Sequence, residues 1–167
     1  MKNSRLAVAS IFAALLMTSA LAQKAAQHVM TADELKTVVP TDFFFRGQKA
    51  PTQLRNAAGF QTADGKITFA ALVDASGYST SIQQKYQGLL VTESKLEIGG
   101  SELPPGEYGC GFTADKFMVM NVANEDVLRV PYQTDAELKR PVPLKMVDDG
   151  GSFRLYAGKK WIAIKPE

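Results

Sequence analysis

Leu144-Lys145-Met146-Val147-Asp148-Asp149-Gly150-Gly151-Ser152-Phe153-Arg154-Leu155-Tyr156-Ala157-Gly158-Lys159-Lys160-Trp161-Ile162-Ala163-Ile164 is the stretch that decides the fold. Two turn sequences punctuate it, Asp148-Asp149-Gly150-Gly151 and Ala157-Gly158-Lys159. The segments they leave, 144–147, 153–156 and 161–164, are short and largely apolar. Glycine-bearing turns between such segments are a hairpin signature, because glycine accepts the positive φ that tight hairpins need. The region reads as a three-stranded antiparallel meander.

The same grammar runs upstream. Residues 127–132 read as a strand, followed by a charged linker with Arg140-Pro141-Val142-Pro143. Residues 107–112 and 116–122 read as a hairpin around Ala114-Asp115. In its first strand Tyr108, Cys110 and Phe112 share one face, and Gly109 and Gly111 share the other. Two glycines on one face leave bare backbone, which predicts a bulge or the close approach of another element. In the second strand Phe117 and Val119 face one way and Met118, Met120 and Val122 the other, so the strand should be covered on both sides. Gly99-Gly100 and Pro105-Gly106 are turn sequences, the latter suited to the centre of a type II turn. Strands are predicted near 86–92 and 95–98. Asp64-Gly65 should close a two-residue hairpin between a short strand near 59–62 and a strand over 67–73. Ile67, Phe69, Ala71 and Val73 alternate onto one face of the latter.

Only the start of the folded part reads as helical. Thr31-Ala32-Asp33-Glu34 has capping-box spacing, and Asp33 and Glu34 suit the positive end of a helix dipole. Pro40 disfavours helical geometry at Val39 and should end the helix. Phe43-Phe44-Phe45 is an apolar triplet that must be buried or paired. The polar stretch 46–56, with Arg46, Lys49 and Arg55 and no acid, reads as a loop or an edge. Short strands with frequent turn signals define a mainly β protein, a single antiparallel β-sandwich or small β-barrel with a short N-terminal helix.

The first residues carry an export signal in sequence terms. Lys2 and Arg5 precede an uncharged, nearly all-apolar run over 6–17, and Ala20 and Ala22 are the small residues that a signal peptidase probes. The run falls short of the about 20 residues needed to span a bilayer. Residues 1–22 are therefore predicted to be a signal peptide of bacterial style, with cleavage after Ala22 and export to the periplasm or the medium. Residues 23–167 are predicted to form one mostly β domain, with 23–30 flexible and no membrane span after signal removal. Lys2 and Arg5 also account for the net charge of +2. A nearly neutral domain lacks the clustered basic excess that nucleic acid requires.

The chemistry available is narrow. One histidine (His28) and one cysteine (Cys110) predict no zinc, iron–sulfur or haem site and no internal disulfide. Asp148-Asp149-Gly150 reads as a turn rather than a calcium loop, no phosphate-cradling Gly-Lys-Ser/Thr loop is present, and no cofactor is predicted. His28 lies in the segment expected to be loose, where a general base is held badly. Cys110 alternates with two aromatics and reads as a buried core residue, with a reactive or intermolecular thiol as the other reading. Asp74 ends an apolar strand beside Ser76, Gly77 and Tyr78, as a site residue or as an ordinary turn former. Arg46 and Arg55 are candidate anion ligands or solvated loop residues. Asp74, Tyr78, Arg46 and Arg55 form the candidate ligand-binding set.

Leu96-Glu97-Ile98-Gly99-Gly100-Ser101-Glu102-Leu103-Pro104-Pro105-Gly106-Glu107-Tyr108 resembles a pattern of uncharacterised secreted bacterial β-domain proteins. In these a strand, a turn of the form leucine, any, proline, glycine, any, tyrosine, and another strand recur. The resemblance spans 96–108; it implies a β fold and export, and it carries no activity or site residue across.

The functional expectation is an exported, non-enzymatic β domain. It would bind a small apolar or amphipathic ligand within a barrel, or an envelope protein across a sheet edge. The alternatives are a hydrolase or lyase using Asp74 with neighbouring hydroxyls or Cys110, and a structural component of the cell envelope.

Overall fold

The structure is a computed structural model and describes residues 26–167. The predicted signal peptide and its cleavage point lie outside the described residues. In chain order the elements are β1 (His28–Val29), α1 (Ala32–Val38), β2 (Asp42–Phe45), β3 (Gln48–Gln61), β4 (Ile67–Val73), α2 (Thr80–Gln83), β5 (Gly88–Thr92), β6 (Leu96–Ile98), β7 (Ser101–Leu103), β8 (Gly106–Phe112), β9 (Lys116–Met120), β10 (Asp126–Pro131), β11 (Gln133–Thr134), β12 (Lys145–Asp148), β13 (Phe153–Ala157) and β14 (Lys160–Pro166).

The strands form two antiparallel sheets packed face to face, a sandwich not closed into a barrel. The larger sheet has the order β1-β3-β4-β5-β8-β9-β10, with β2 also on β3. The smaller has the order β12-β13-β14-β6-β7, with β11 also on β14. The C-terminal meander is β12, β13 and β14, turning at Gly150-Gly151 and Gly158, all with positive φ.

Local sequence explains how the chain changes sheets. After β5 it crosses to the smaller sheet and makes the β6–β7 hairpin through Gly99 (φ 57°) and Gly100 (φ 79°), the two positive values of a type I′ turn. It returns at Pro104-Pro105 to pair β8 with β5. There the Tyr108 hydroxyl donates to the Pro104 carbonyl at 2.9 Å, the arrangement of a tyrosine corner in a sandwich. The expected type II turn at Pro105-Gly106 does not form, because Gly106 already begins β8 and lacks a positive φ. Gly106 serves close approach instead, since a Cβ there would lie 3.0 Å from the Tyr108 hydroxyl.

The space between the sheets is filled. Phe60, Leu90, Cys110, Phe117 and Val119 from the larger sheet meet Leu96, Ile98, Phe153, Leu155 and Ile164 from the smaller. Phe60 and Phe153 stack with ring centroids 3.9 Å apart. A cavity of about 20 Å³ beside Cys110 is the space found here, room for about one water molecule. The closed barrel offered as one of two architectures, and with it a barrel interior for a ligand, is not formed.

The larger sheet is also covered on its outer face. Leu35 of α1, Phe43 and Phe45 of β2, Ala50 of β3, Ile82 of α2, and Tyr78 and Tyr86 pack onto Phe69, Ala71, Val73, Leu89 and Met120. This explains the two-sided apolar character of β9. It also explains the glycine strip: a Cβ on Gly109 would lie 2.5 Å from the Phe45 ring, and one on Gly111 would strike the Lys85 carbonyl.

Several expectations are corrected. Of the two readings of residues 46–56, a loop or an edge, the loop is overturned: Arg46 (φ 51°) and Gly47 (φ 72°) make a tight turn, and the rest belongs to the 14-residue β3, whose residues 48–51 pair with β2 alone. Its first half is a ribbon lying over the sheet with only Ala50 buried, so its polar composition hid the strand. Between Gln53 and Ala57 its register on β4 slips, a bulge that bends the strand. Residues 28–30 are not loose: His28 and Val29 pair with β3, and the Met30 N–H donates to the Gly59 carbonyl at 2.9 Å. Asp64-Gly65 sits in a three-residue loop closed by Thr62 and Lys66, with the positive φ at Gly65 alone. Residues 74–81 include the start of the short α2. The capping box forms as expected, the Glu34 N–H donating to the Thr31 hydroxyl at 3.3 Å and the Thr31 N–H to the Glu34 carboxylate at 2.7 Å.

Candidate ligand cleft

The residues singled out from sequence do not converge. Asp74 follows β4 and accepts from the Ser76 N–H at 3.0 Å, a local turn bond. Ser76, through its side chain and then its backbone, holds the Asp74 carboxyl below its ordinary value. A weaker base is less suited to taking a proton at neutral pH. Tyr78 is buried, and its hydroxyl proton is shared between the carbonyls of Phe45 (2.9 Å) and Gln48 (2.7 Å). Its ring meets Tyr86 edge-on at 5.2 Å. Burial raises its pKa, and its bonds pin the β2–β3 hairpin to the loop before α2.

Arg46 is exposed at the hairpin tip, where its N–H bonds to the Val122 carbonyl at 2.6 Å. Arg55 is exposed in the bulge of β3. Most of the chain between them is the extended β3, which at roughly 3.3 Å per strand residue could hold them up to about 30 Å apart. Neither forms an ion pair with Asp74 among the described residues.

The two potential nucleophilic or basic centres are both occupied structurally. Cys110 is buried in the inter-sheet core, and burial pushes its thiol up to about 12, far from thiolate formation. The His28 Nε2 lies 3.0 Å from Glu34 Oε1, so the imidazole joins the capping box rather than a thiol or hydroxyl. Bonds from the Thr31 backbone, the Thr31 hydroxyl and His28, in that order, pull the Glu34 carboxyl down to about 2. Among the described residues no three His, Cys, Asp or Glu side chains gather as a metal site.

Among the hollows of ligand size on the surface, the largest, of about 700 Å³, is lined by polar and charged groups such as Gln84, Lys85, Asp115 and Lys160, and two others lie near these elements. One, of about 510 Å³, lies at the end of the sandwich and is lined by Gln53, Asp74, Ser76, Gln83, Tyr86 and Gln87 among others. Its carboxamides are engaged: Gln83 donates to the Tyr78 carbonyl at 2.7 Å, and Gln87 accepts from the Phe112 N–H at 2.9 Å. The Tyr86 hydroxyl is buried without a partner, and burial is the main cause of its raised pKa.

The other hollow, of about 530 Å³, lies on the outer face of the larger sheet. Val38 and Pro40 form one wall, Asp42, Phe43 and Phe44 another, and Ile67, Phe69, Val91 and Glu107 the floor and far rim. The floor follows from register: Phe69 pairs with Val91, and Val91 pairs with Glu107, one row across three strands. Alternation in β2 buries Phe43 and Phe45 and leaves Phe44 at the cleft, 64% exposed. Asp42 pairs with Lys49 at 3.3 Å, whereas Glu107 has no ion-pair partner among the described residues. This arrangement can hold an apolar body and present a carboxylate to whatever emerges.

None of the candidate set lines this cleft. The signal in the sequence was the phenylalanine triplet, since consecutive strand residues cannot all face one core. Among the described residues no helix is long and apolar enough to cross a membrane. No protein-family model, curated protein or solved structure matches this chain.

Proposed function

We propose that this protein is an exported, non-catalytic binding module that takes a small amphipathic ligand in the outer cleft. The observation that carries the reading is the cleft itself, about 530 Å³ and walled mainly by apolar side chains, on a sandwich whose interior is filled. Its size falls in the range of small-molecule sites, and such sites pair an apolar lining with few polar groups. The buried Cys110 thiol, the Asp74 carboxyl tied to Ser76 and the His28 ring tied to Glu34 support a role without catalysis. Export rests on the signal-like sequence of residues 1–22.

An envelope protein adding a strand to a sheet edge is favoured less. The β10 edge carries a register irregularity between Asp126 and Leu128 and ends at Pro131, two features that discourage strand addition.

The test is fluorescence titration with the apolar dye N-phenyl-1-naphthylamine. One saturable site is expected, weakened several-fold by Phe44→Ala with the melting temperature nearly unchanged, because Phe44 is 64% exposed. Dye binding that ignores Phe44→Ala would discard this cleft as the site.

A further inference from the structure

Resting on the reading of the outer cleft as the binding site, we propose that its occupant is a small cationic amphiphile. It would be an alkyl or aryl body bearing a protonated amine or a quaternary ammonium group. The polar side chains that line the cleft are Asp42 and Glu107, both carboxylates, and among the described residues no cationic side chain lines it. Lys49 offsets Asp42 at 3.3 Å and leaves Glu107 as the open negative charge. A third carboxylate, Glu93, accepts from the Ile67 N–H at 2.8 Å and so stands at the same end of the sheet.

The apolar lining adds a second preference of the same sign. Phe44, 64% exposed, contributes an open ring, and aromatic faces attract cations, quaternary ammonium groups most familiarly. An anionic headgroup would meet like charge at the rim, so the site selects by repulsion as well as attraction. A neutral amphiphile would gain the apolar contacts alone.

The experiment is isothermal titration of the protein with three probes that share one alkyl chain: dodecyltrimethylammonium, dodecyl maltoside and dodecyl sulfate. Each is kept below its micelle-forming concentration, and at levels that leave the circular dichroism spectrum unchanged. The cation should bind roughly tenfold more tightly than the neutral probe and lose that advantage as salt rises, with the anion weakest. Glu107→Gln, an exposed rim substitution, should bring the cation to the affinity of the neutral probe and leave the neutral probe unaffected. Lys49→Met, which releases Asp42, should tighten the cation. Equal affinities for the three probes, or a cation indifferent to Glu107→Gln, would overturn the charge preference while leaving the cleft as an apolar site. Failure of all three to bind would overturn both.

Discussion

The two faces of the larger sheet bury apolar side chains by different means. The inner face meets a second sheet, with Phe60 stacked on Phe153 and a cavity of about 20 Å³ beside Cys110. The outer face meets α1, α2 and the β2–β3 hairpin, pieces that do not form a continuous layer. Where they leave Val91 and Glu107 partly uncovered beside the buried Phe69, a cleft of about 530 Å³ remains. Two sheets of matching twist can interdigitate over their whole area. Short covering elements leave seams, and a seam over an apolar row is where a ligand can go.

The largest expected effect is on the inner face. Phe153→Ala removes a fully buried ring from the stacked pair and should cost about 3–5 kcal/mol in urea unfolding. Loss of protection in hydrogen exchange should then extend across both sheets. Gly109→Ala should cost less, about 1–3 kcal/mol, because the new Cβ meets the Phe45 ring, which is held against Tyr86 at 4.0 Å. Its exchange signature should be concentrated in residues 42–51, the hairpin pushed off the sheet. Equal and global loss of protection in both variants would erase the distinction between the two faces.

Tyr108→Phe sharpens the comparison at the corner that joins the sheets. It removes the bond to the Pro104 carbonyl and should lower stability by about 1 kcal/mol, leaving hairpin exchange unchanged. The smallest effect is at the edge, where Glu34 belongs to the covering layer. Its folded pKa of about 2 lies below the ordinary 4.5, so the unfolded state binds more protons between those values. Its contribution is therefore present above about pH 4.5 and lost as pH falls toward 2. Glu34→Gln keeps the spacing of the capping box but removes this titration. Melting temperatures measured across that window should fall less steeply for the variant than for the parent protein.

Much of the fold was legible because it is encoded within a few residues. The capping box at Thr31 and Glu34, the Gly99-Gly100 turn and the C-terminal meander each depend on local φ or on one side chain reaching one backbone group. The alternation of Tyr108, Cys110 and Phe112 against Gly109 and Gly111 likewise foretold a buried face opposite a close approach. The candidate site was not legible in the same way. Asp74 and Tyr78 stand out in sequence as polar groups at a strand end, yet their bonds serve the local turn and the hairpin. Arg46 and Arg55 are close in sequence but held apart by the extended β3.

By itself the amino-acid order determined most of the strands, most of their turns and the mainly β class, because turn geometry and side-chain alternation are properties of neighbouring residues. Only the tertiary structure decided that the sheets stay open as a sandwich, that β2 and β3 fold over the outer face, and that Phe44, Val91 and Glu107 share a cleft. Those outcomes depend on which covering pieces reach which strands. That is a matter of packing between residues far apart in the chain, and no local pattern records it.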